Sequence, residues 1–161
     1  MPGANDSGHP GDSVSLRIAA SPDRIYDLVS DPGNMGRLSP ECVGGSWLGG
    51  ATGPSVGATF KGRNKRGIAR WSTKNEVVEA DPGRAFAFQT KQSGVRWRYG
   101  LEADGDGTLV TESRAEFKDR PLIAKVFATI ALGGKDSHED ELREGMLKTL
   151  ERLKVVAEGG D

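Results

Sequence analysis

Apolar and polar residues alternate along most of the chain, a pattern typical of strands with one buried face. The first alternating run places Val14, Leu16 and Ile18 on the same side. Turn sequences rich in Gly, Pro, Asp and Ser separate the runs that follow. Because no interval between those runs can hold a crossover helix, we predict an antiparallel meander. Its strands are predicted at Val43–Leu48, Ala58–Arg66, Ile68–Ala80, Arg84–Lys91, Val95–Ala103 and Leu109–Phe117.

Helical spacing flanks the strand region. Ser21 and Pro22 suit an N-cap and a first helical position, so they predict a short helix, with a second turn over Asn34–Leu38. Near the C terminus, Ser137 is the predicted N-cap of a helix of about 20 residues, roughly 30 Å long. Its apolar stripe consists of Leu142, Met146, Leu150 and Leu153.

The remaining segments define one predicted domain at residues 13–157. Residues 1–12 are rich in Gly, Pro, Asp and Ser without apolar periodicity, and we interpret them as a disordered leader. Residues 158–161 are interpreted as a disordered tail. The apolar segment Leu122–Ile130 lies between Pro121 and Gly133-Gly134, so we predict that it forms a helical lid with flexible ends.

The predicted elements indicate an α+β architecture in which a single long helix covers a wide sheet. A sheet of six to seven antiparallel strands with one apolar face has to be covered. One helix cannot contact every strand of a flat sheet of that width. We therefore expect the sheet to curl around the C-terminal helix and to leave a cavity at one end.

Five local sequences carry a family resemblance: Ala19–Asp31, Trp47, Gly57–Phe60, Glu79–Arg84 and Gly107–Glu112. In this order of elements they resemble the START/Bet v 1-like (SRPBCC) superfamily, and within it the polyketide cyclase/dehydrase and lipid-transport-like branch. The resemblance extends over residues 13–157. It implies the helix-grip fold, a curved sheet around a long C-terminal helix, and a family whose members bind or transform many different apolar ligands.

Strand alternation assigns a set of aromatic and small polar side chains to the cavity. On the last strand, it places Leu109, Thr111 and Ser113 on the inward face. Aromatic walls with sparse polar groups are typical of small-molecule pockets, although aromatic residues at this spacing also simply fill cores. Asn75 needs a hydrogen-bond partner, either within the fold or in the cavity. The candidate ligand-binding residues are Phe60, Trp71, Thr73, Asn75, Phe86, Phe88, Trp97, Tyr99, Thr111, Ser113, Phe127, Met146 and Leu150.

Composition and charge exclude several classes of function. The chain has 161 residues with 22 basic and 23 acidic side chains, a balance that argues against a nucleic-acid-binding protein. We interpret the basic hairpin around Arg63, Lys65, Arg66 and Arg70 as a solvated strand face, with weak binding to an anionic surface as the alternative. The chain has no long apolar stretch, so we expect no integral membrane segment. It also lacks the features of a signal peptide, so we expect a cytoplasmic location.

Few residues of the sequence are candidates for catalysis or for metal binding. Cys42 is the only cysteine, which excludes an intrachain disulfide and a thiolate zinc cluster. The two histidines, His9 and His138, lie in the leader and at a helix start, so a Ser/His/Asp triad cannot form in the sheet. We expect no metal and no cofactor, and the pattern does not indicate an oligomeric state.

Three functions remain open. The first is binding or transport of a small hydrophobic molecule, lipid or polyketide-like, in the cavity. The second is an aromatase/cyclase-type enzyme in which Tyr99 or Asn75 orients a carbonyl. The third is a protein-interaction module with a filled core. Because no histidine or carboxylate pair is expected inside the sheet, the first is favoured over the second.

Overall fold

A seven-stranded antiparallel sheet forms the body of the protein, with strand order β1-β7-β6-β5-β4-β3-β2. The structure is a computed structural model and describes residues 13–116 and 135–159. Its strands are β1 (Ser13–Ile18), β2 (Cys42–Trp47), β3 (Thr59–Arg66), β4 (Ala69–Asp81), β5 (Ala85–Thr90), β6 (Val95–Asp104) and β7 (Gly107–Glu116). Its helices are α1 (Pro22–Val29), a 3₁₀ turn (Pro32–Asn34), α2 (Met35–Leu38) and α3 (Lys135–Glu158). The predicted helix-grip architecture is confirmed.

Some predictions from the sequence concern residues that the structure does not describe, and others differ from it at the ends of helices. The predicted leader at 1–12, the predicted lid Leu122–Ile130 with Phe127, and residues 160–161 of the predicted tail lie outside the described residues. The tail prediction is wrong for Glu158, which belongs to α3 and accepts a hydrogen bond from the Ala19 amide. Helix α3 begins at Lys135, before the N-cap predicted at Ser137.

Capping chemistry determines where the chain turns after β1. The Ser21 hydroxyl accepts a hydrogen bond from the Arg24 amide at 3.2 Å, and Pro22 occupies the first turn of α1. The Asp31 carboxylate accepts from the Gly33 amide at 2.9 Å and caps the 3₁₀ turn. These caps direct α1, the 3₁₀ turn and α2 to one end of the sheet, where their apolar side chains are buried.

Helix α3 is held against the sheet by a buried stripe and by hydrogen bonds at its C-terminal end. Arg24 on α1 donates to the carbonyls of Ala157 at 2.8 Å and Val156 at 3.2 Å, which satisfies carbonyls that a helix end leaves unpaired. The Glu158 carboxylate accepts from the Ala19 amide at 2.8 Å. The buried stripe comprises Met146, Leu150, Leu153 and Ala157, so most of the predicted stripe is confirmed.

The inward face of β7 is the opposite of the one predicted from sequence. Thr108, Val110 and Glu112 are buried, whereas Leu109 is exposed. The Thr111 hydroxyl bonds that of Ser15 at 2.8 Å near the surface. The cause is the tight turn between β6 and β7, which pairs Asp104 with Gly107 and thereby places each inward residue of β6 opposite an even-numbered residue of β7.

The close packing of α2 against β2 can be tested by substitution of a glycine at the contact. A Cβ on Gly36 would lie 2.7 Å from the Val43 carbonyl oxygen, whereas a Cβ on Gly145 in α3 would meet open space. We expect Gly36→Ala to lower the free energy of unfolding by about 1–3 kcal/mol. The control Gly145→Ala should raise it by about 0.5–1 kcal/mol, since alanine favours helix. Urea denaturation measures both, and equal stability of the two variants would contradict this packing.

Candidate functional site

A small cavity lies where α2, the 3₁₀ turn and α3 meet the central strands. The cavity has a volume of about 30 Å³, enough for about two water molecules. Its walls are mainly apolar, as expected of a pocket for a nonpolar molecule. The lining residues are Val29, Pro32, Met35, Leu38, Ser39, Phe60, Phe86, Phe88, Tyr99 and Thr149.

A chain of aromatic contacts forms the sheet side of the cavity. The Phe60 ring lies 5.1 Å from that of Phe88 and 5.7 Å from that of Trp47, both nearly edge to face. The Phe86 ring contacts Phe88 at 6.0 Å and Tyr26 of α1 at 6.3 Å. Such edge-to-face pairs are favourable beyond the area they bury, so this wall is well ordered before any ligand arrives.

The buried carboxyl group of Glu112 lies next to Tyr99, the only tyrosine that lines the cavity. Glu112 is 4% exposed and lies directly opposite Tyr99 in the β6–β7 register. The Glu112 carboxyl lies beside the Tyr99 hydroxyl, and each group influences the pKa of the other. Burial raises the pKa of Glu112 from 4.5 to about 8, while the neighbouring Tyr99 hydroxyl acts in the opposite direction. Glu112 is therefore mainly protonated at neutral pH.

The protonation of Glu112 determines what Tyr99 can offer to the cavity. Burial raises the pKa of the Tyr99 phenol well above 10, and the nearby Glu112 charge raises it further, so Tyr99 stays neutral. A protonated Glu112 can donate to the phenol oxygen and leave the phenol hydrogen for an acceptor in the cavity. An ionised Glu112 instead accepts that hydrogen. Its Oε1 atom has no hydrogen-bond partner within the described part of the chain, so ionisation is costly there.

Asn75, the sharpest polar candidate from the sequence, is satisfied within the sheet. Its side chain is buried and is not among the cavity-lining groups. The Asn75 Nδ2 donates to the Thr73 hydroxyl at 3.1 Å, and its Oδ1 accepts from the Thr90 hydroxyl at 2.7 Å. This amide thus joins β4 to β5 through side chains.

Comparison with known proteins identifies the family. A profile of the family described as polyketide cyclase / dehydrase and lipid transport matches residues 13–158. The chain belongs to this family. No curated protein sequence matches the chain at a significant level.

Solved structures agree with this assignment to the polyketide cyclase family. The chain is similar to a polyketide-cyclase-like protein of Corynebacterium glutamicum, with 30% identity and a TM-score of 0.57 over 90% of this chain and 86% of that one. Its fold also resembles the di-domain ARO/CYC protein of the steffimycin biosynthetic pathway, at 14% identity and a TM-score of 0.70, covering 91% of this chain and 50% of that one. The structure of Ara h 8.0201 has the same fold, with 12% identity, a TM-score of 0.66, and coverage of 92% and 97%.

The structure brings some of the predicted site residues together at the cavity of this family member. Those lining the cavity are Phe60, Phe86, Phe88 and Tyr99. Met146 and Leu150 are buried in the core on α3, and Trp97 packs against that core while partly exposed. Phe127 lies outside the described residues.

The other predicted residues lie away from the cavity. Trp71 is 41% exposed on the β3–β4 hairpin, although it has the same strand parity as buried Val77. Thr73 bonds Asn75. Thr111 and Ser113 lie on the outward face of β7, opposite Ser15 and Ser13 of the edge strand β1.

Sequence reasoning missed Glu112 and the contribution of α2. The signal for Glu112 was present, because a two-residue turn at Gly105-Asp106 pairs Tyr99 with Glu112. Met35 and Leu38 of α2 line the cavity together with Ser39, and a one-turn helix has too few residues for periodicity to reveal its inward face.

Metal binding finds no support in the described part of the chain, where no group of three or more His, Cys, Asp or Glu side chains could hold an ion. Cys42 is buried, which raises the pKa of its thiol, and the thiol donates to the Gly44 carbonyl at 3.3 Å. Among the described helices, none is long and apolar enough to cross a membrane.

Glu112→Gln should alter how stability depends on pH. Because the pKa of Glu112 is raised in the folded state, the protonated carboxyl contributes fully to the free energy of unfolding below pH 4.5. This contribution is lost as pH rises through about 8. Between those values the free energy of unfolding of the wild type should fall relative to the variant, by up to about 1.4 kcal/mol per pH unit. Urea denaturation across this range measures the difference. Glu102→Gln, at an exposed position of β6, controls for net charge, and parallel curves for wild type and Glu112→Gln would contradict the assignment.

Asn75→Leu should destabilise the protein in the absence of any ligand. The substitution leaves the buried Thr90 hydroxyl without its acceptor, so we expect a loss of about 1–3 kcal/mol in the free energy of unfolding. Thr73→Val removes only the partly exposed side of the same network and should cost less. Unchanged stability of Asn75→Leu would show that the fold does not depend on this amide.

Proposed function

We propose that this protein binds a small, largely apolar molecule, lipid or polyketide-like, that carries a carbonyl or similar hydrogen-bond acceptor. The observation that supports this function best is the Tyr99–Glu112 pair at an otherwise aromatic wall. Apolar walls supply affinity for the hydrocarbon part of a ligand, and a single strong donor orients its polar end.

Tyr99 is the hydroxyl of the wall best prepared to act as that donor. The Thr149 hydroxyl already donates to the Gly145 carbonyl at 3.0 Å. The Ser39 hydroxyl accepts from the Cys42 amide at 3.3 Å and keeps its own hydrogen, but within the described part of the chain it has no buried carboxylic acid beside it to strengthen its donation. Tyr99 has a buried carboxylic acid behind it, and hydrogen bonds in a chain polarise one another, so donation from the phenol to a ligand is strengthened.

Ligand entry requires the cavity to widen, because about 30 Å³ cannot hold a lipid or polyketide. The aromatic wall belongs to paired strands and is therefore the stiffer side. Met35 and Leu38 lie on α2, a helix of four residues. Short elements with few internal hydrogen bonds open at the lowest free energy, so α2 is the wall that moves.

An aromatase/cyclase-type reaction is the second candidate, and the same pair favours it. A phenol hydrogen-bonded to a protonated carboxyl can donate to a ketone oxygen while the ring closes, which is general acid catalysis. The family description includes cyclases and dehydrases, and a neighbouring structure is an ARO/CYC protein. This candidate requires turnover in addition to binding.

Tyr99→Phe tests the proposed donor. The probes are a polarity-sensitive naphthalene ketone dye and its parent dimethylaminonaphthalene, which lacks the carbonyl. The wild type should bind the ketone with saturation near one dye per chain. Loss of one hydrogen bond should weaken the ketone about 3–10-fold and leave the parent dye nearly unchanged.

The outcomes separate the candidates. Absence of saturable dye binding by the wild type would contradict a ligand cavity, and an equal loss for both dyes would contradict the role of Tyr99 as donor. Native mass spectrometry of the protein from its own host then identifies a retained ligand. Conversion of a linear poly-β-ketone by the wild type, lost in Tyr99→Phe, would favour the cyclase.

A further inference from the structure

Positive charge is concentrated in one hairpin of this nearly neutral chain. Between residues 61 and 74 there are six basic side chains and no Asp or Glu. Subtracting that +6 from the formal net charge of −1 leaves −7 for the rest of the chain. The basic residues are Lys61, Arg63, Lys65, Arg66, Arg70 and Lys74.

The β3–β4 register collects most of these cations on the outward face. Lys61 lies opposite Lys74, and Lys65 lies opposite Arg70. Like charges directly across a strand pair are unfavourable, so the fold gains nothing from this arrangement. Arg66 pairs with Glu41 and Glu141.

The outward cations have no such compensation. Among residues 13–116 and 135–159, no acidic side chain forms an ion pair with Lys61, Lys65, Arg70 or Lys74. Their charge is therefore available to an anionic partner outside the chain.

One apolar side chain lies at the tip of the same hairpin, and a second lies three residues further along β4. Ile68, in the turn between β3 and β4, is 102% exposed, and Trp71 is 41% exposed. An exposed isoleucine adds nothing to phosphate binding by a nucleic acid, but it gains free energy on entering hydrocarbon. Tryptophan is favoured at the membrane–water interface. A basic surface with an apolar tip therefore fits a lipid bilayer better than a nucleic acid.

We propose that the β3–β4 hairpin docks this protein onto an anionic lipid bilayer. The hairpin enters tip first: Ile68 in the turn and Trp71, on the face opposite the outward cations, reach the interfacial layer, while Lys65 and Arg70 next to the turn contact the lipid headgroups. The proposal goes beyond the cavity function and does not depend on it, since none of these residues lines the cavity.

Vesicle sedimentation of the full chain tests this docking. Wild type should bind vesicles of equimolar phosphatidylcholine and phosphatidylglycerol, bind phosphatidylcholine alone weakly, and dissociate as salt is added. Lys65→Gln combined with Arg70→Gln should weaken binding about 30-fold, and Ile68→Ser about 5-fold. Brominated lipid should quench wild-type tryptophan emission, and Trp71→Phe should lose that quenching.

Matched variants on α3 make the result specific. Arg143→Gln combined with Lys148→Gln removes the same charge, and Val155→Ser removes an apolar group that is 72% exposed. Neither should alter vesicle binding. Equal losses for the hairpin and α3 variants would overturn the proposal.

Two further outcomes would also overturn it. One is wild-type binding that does not distinguish the two lipid compositions. The other is binding of a DNA duplex that competes with the vesicles and is insensitive to Ile68→Ser, which would assign the cations to a nucleic acid. Ketone-dye binding by the hairpin variants should match wild type, so failure of docking is distinguishable from failure of the cavity function.

Discussion

The packing of a single helix, α3, against a seven-stranded sheet is the constraint on which the rest of this structure depends. Met146, Leu150 and Leu153 bury the helix stripe, and hydrogen bonds from Arg24 and to Glu158 fix its C-terminal end beside β1. One helix cannot fill the space over so many strands. Among the described residues, the short helices after β1 also cover the sheet, and a cavity with an aromatic wall lies where they meet the central strands and α3.

Within the described part of the fold, the Glu112 carboxyl is buried beside the partly exposed Tyr99. A core of hydrophobic residues in place of Glu112 would avoid the cost of an acid whose pKa is raised to about 8. In the proposed function, its position beside Tyr99 supplies the cavity with a neutral, polarised donor. The same family fold with this donor suits a ligand that is apolar over most of its length and carries an acceptor at one point.

Much of the fold followed from local patterns. Alternation and turn sequences predicted every strand of the meander, and the caps at Ser21 and Pro22 predicted α1, because these signals depend on near neighbours. The face of β7 was assigned wrongly because Leu109 outweighed the register that the Gly105-Asp106 turn imposes. That error hid Glu112.

Other features of the site depend on contacts distant in sequence. The Asn75 side chain accepts a hydrogen bond from Thr90 on the next strand, and alternation within β4 does not reveal this pairing. Trp71 lies on the same face of β4 as the buried Asn75 and Val77, yet it is exposed because it lies near the end of the hairpin. Parity assigns a face but does not show how far the core extends along a strand.

The protonation of Glu112 is the most direct measure of this account. Carbon-13 NMR of the glutamate carboxyl groups, with Glu112 assigned through Glu112→Gln, follows its titration in the folded protein. We predict a midpoint near pH 8, well above the ordinary value of 4.5, and a Tyr99 phenol that stays protonated throughout. A Glu112 carboxyl that titrates near pH 4.5 would contradict this account, since the cavity would then hold a carboxylate that takes the Tyr99 hydrogen for itself.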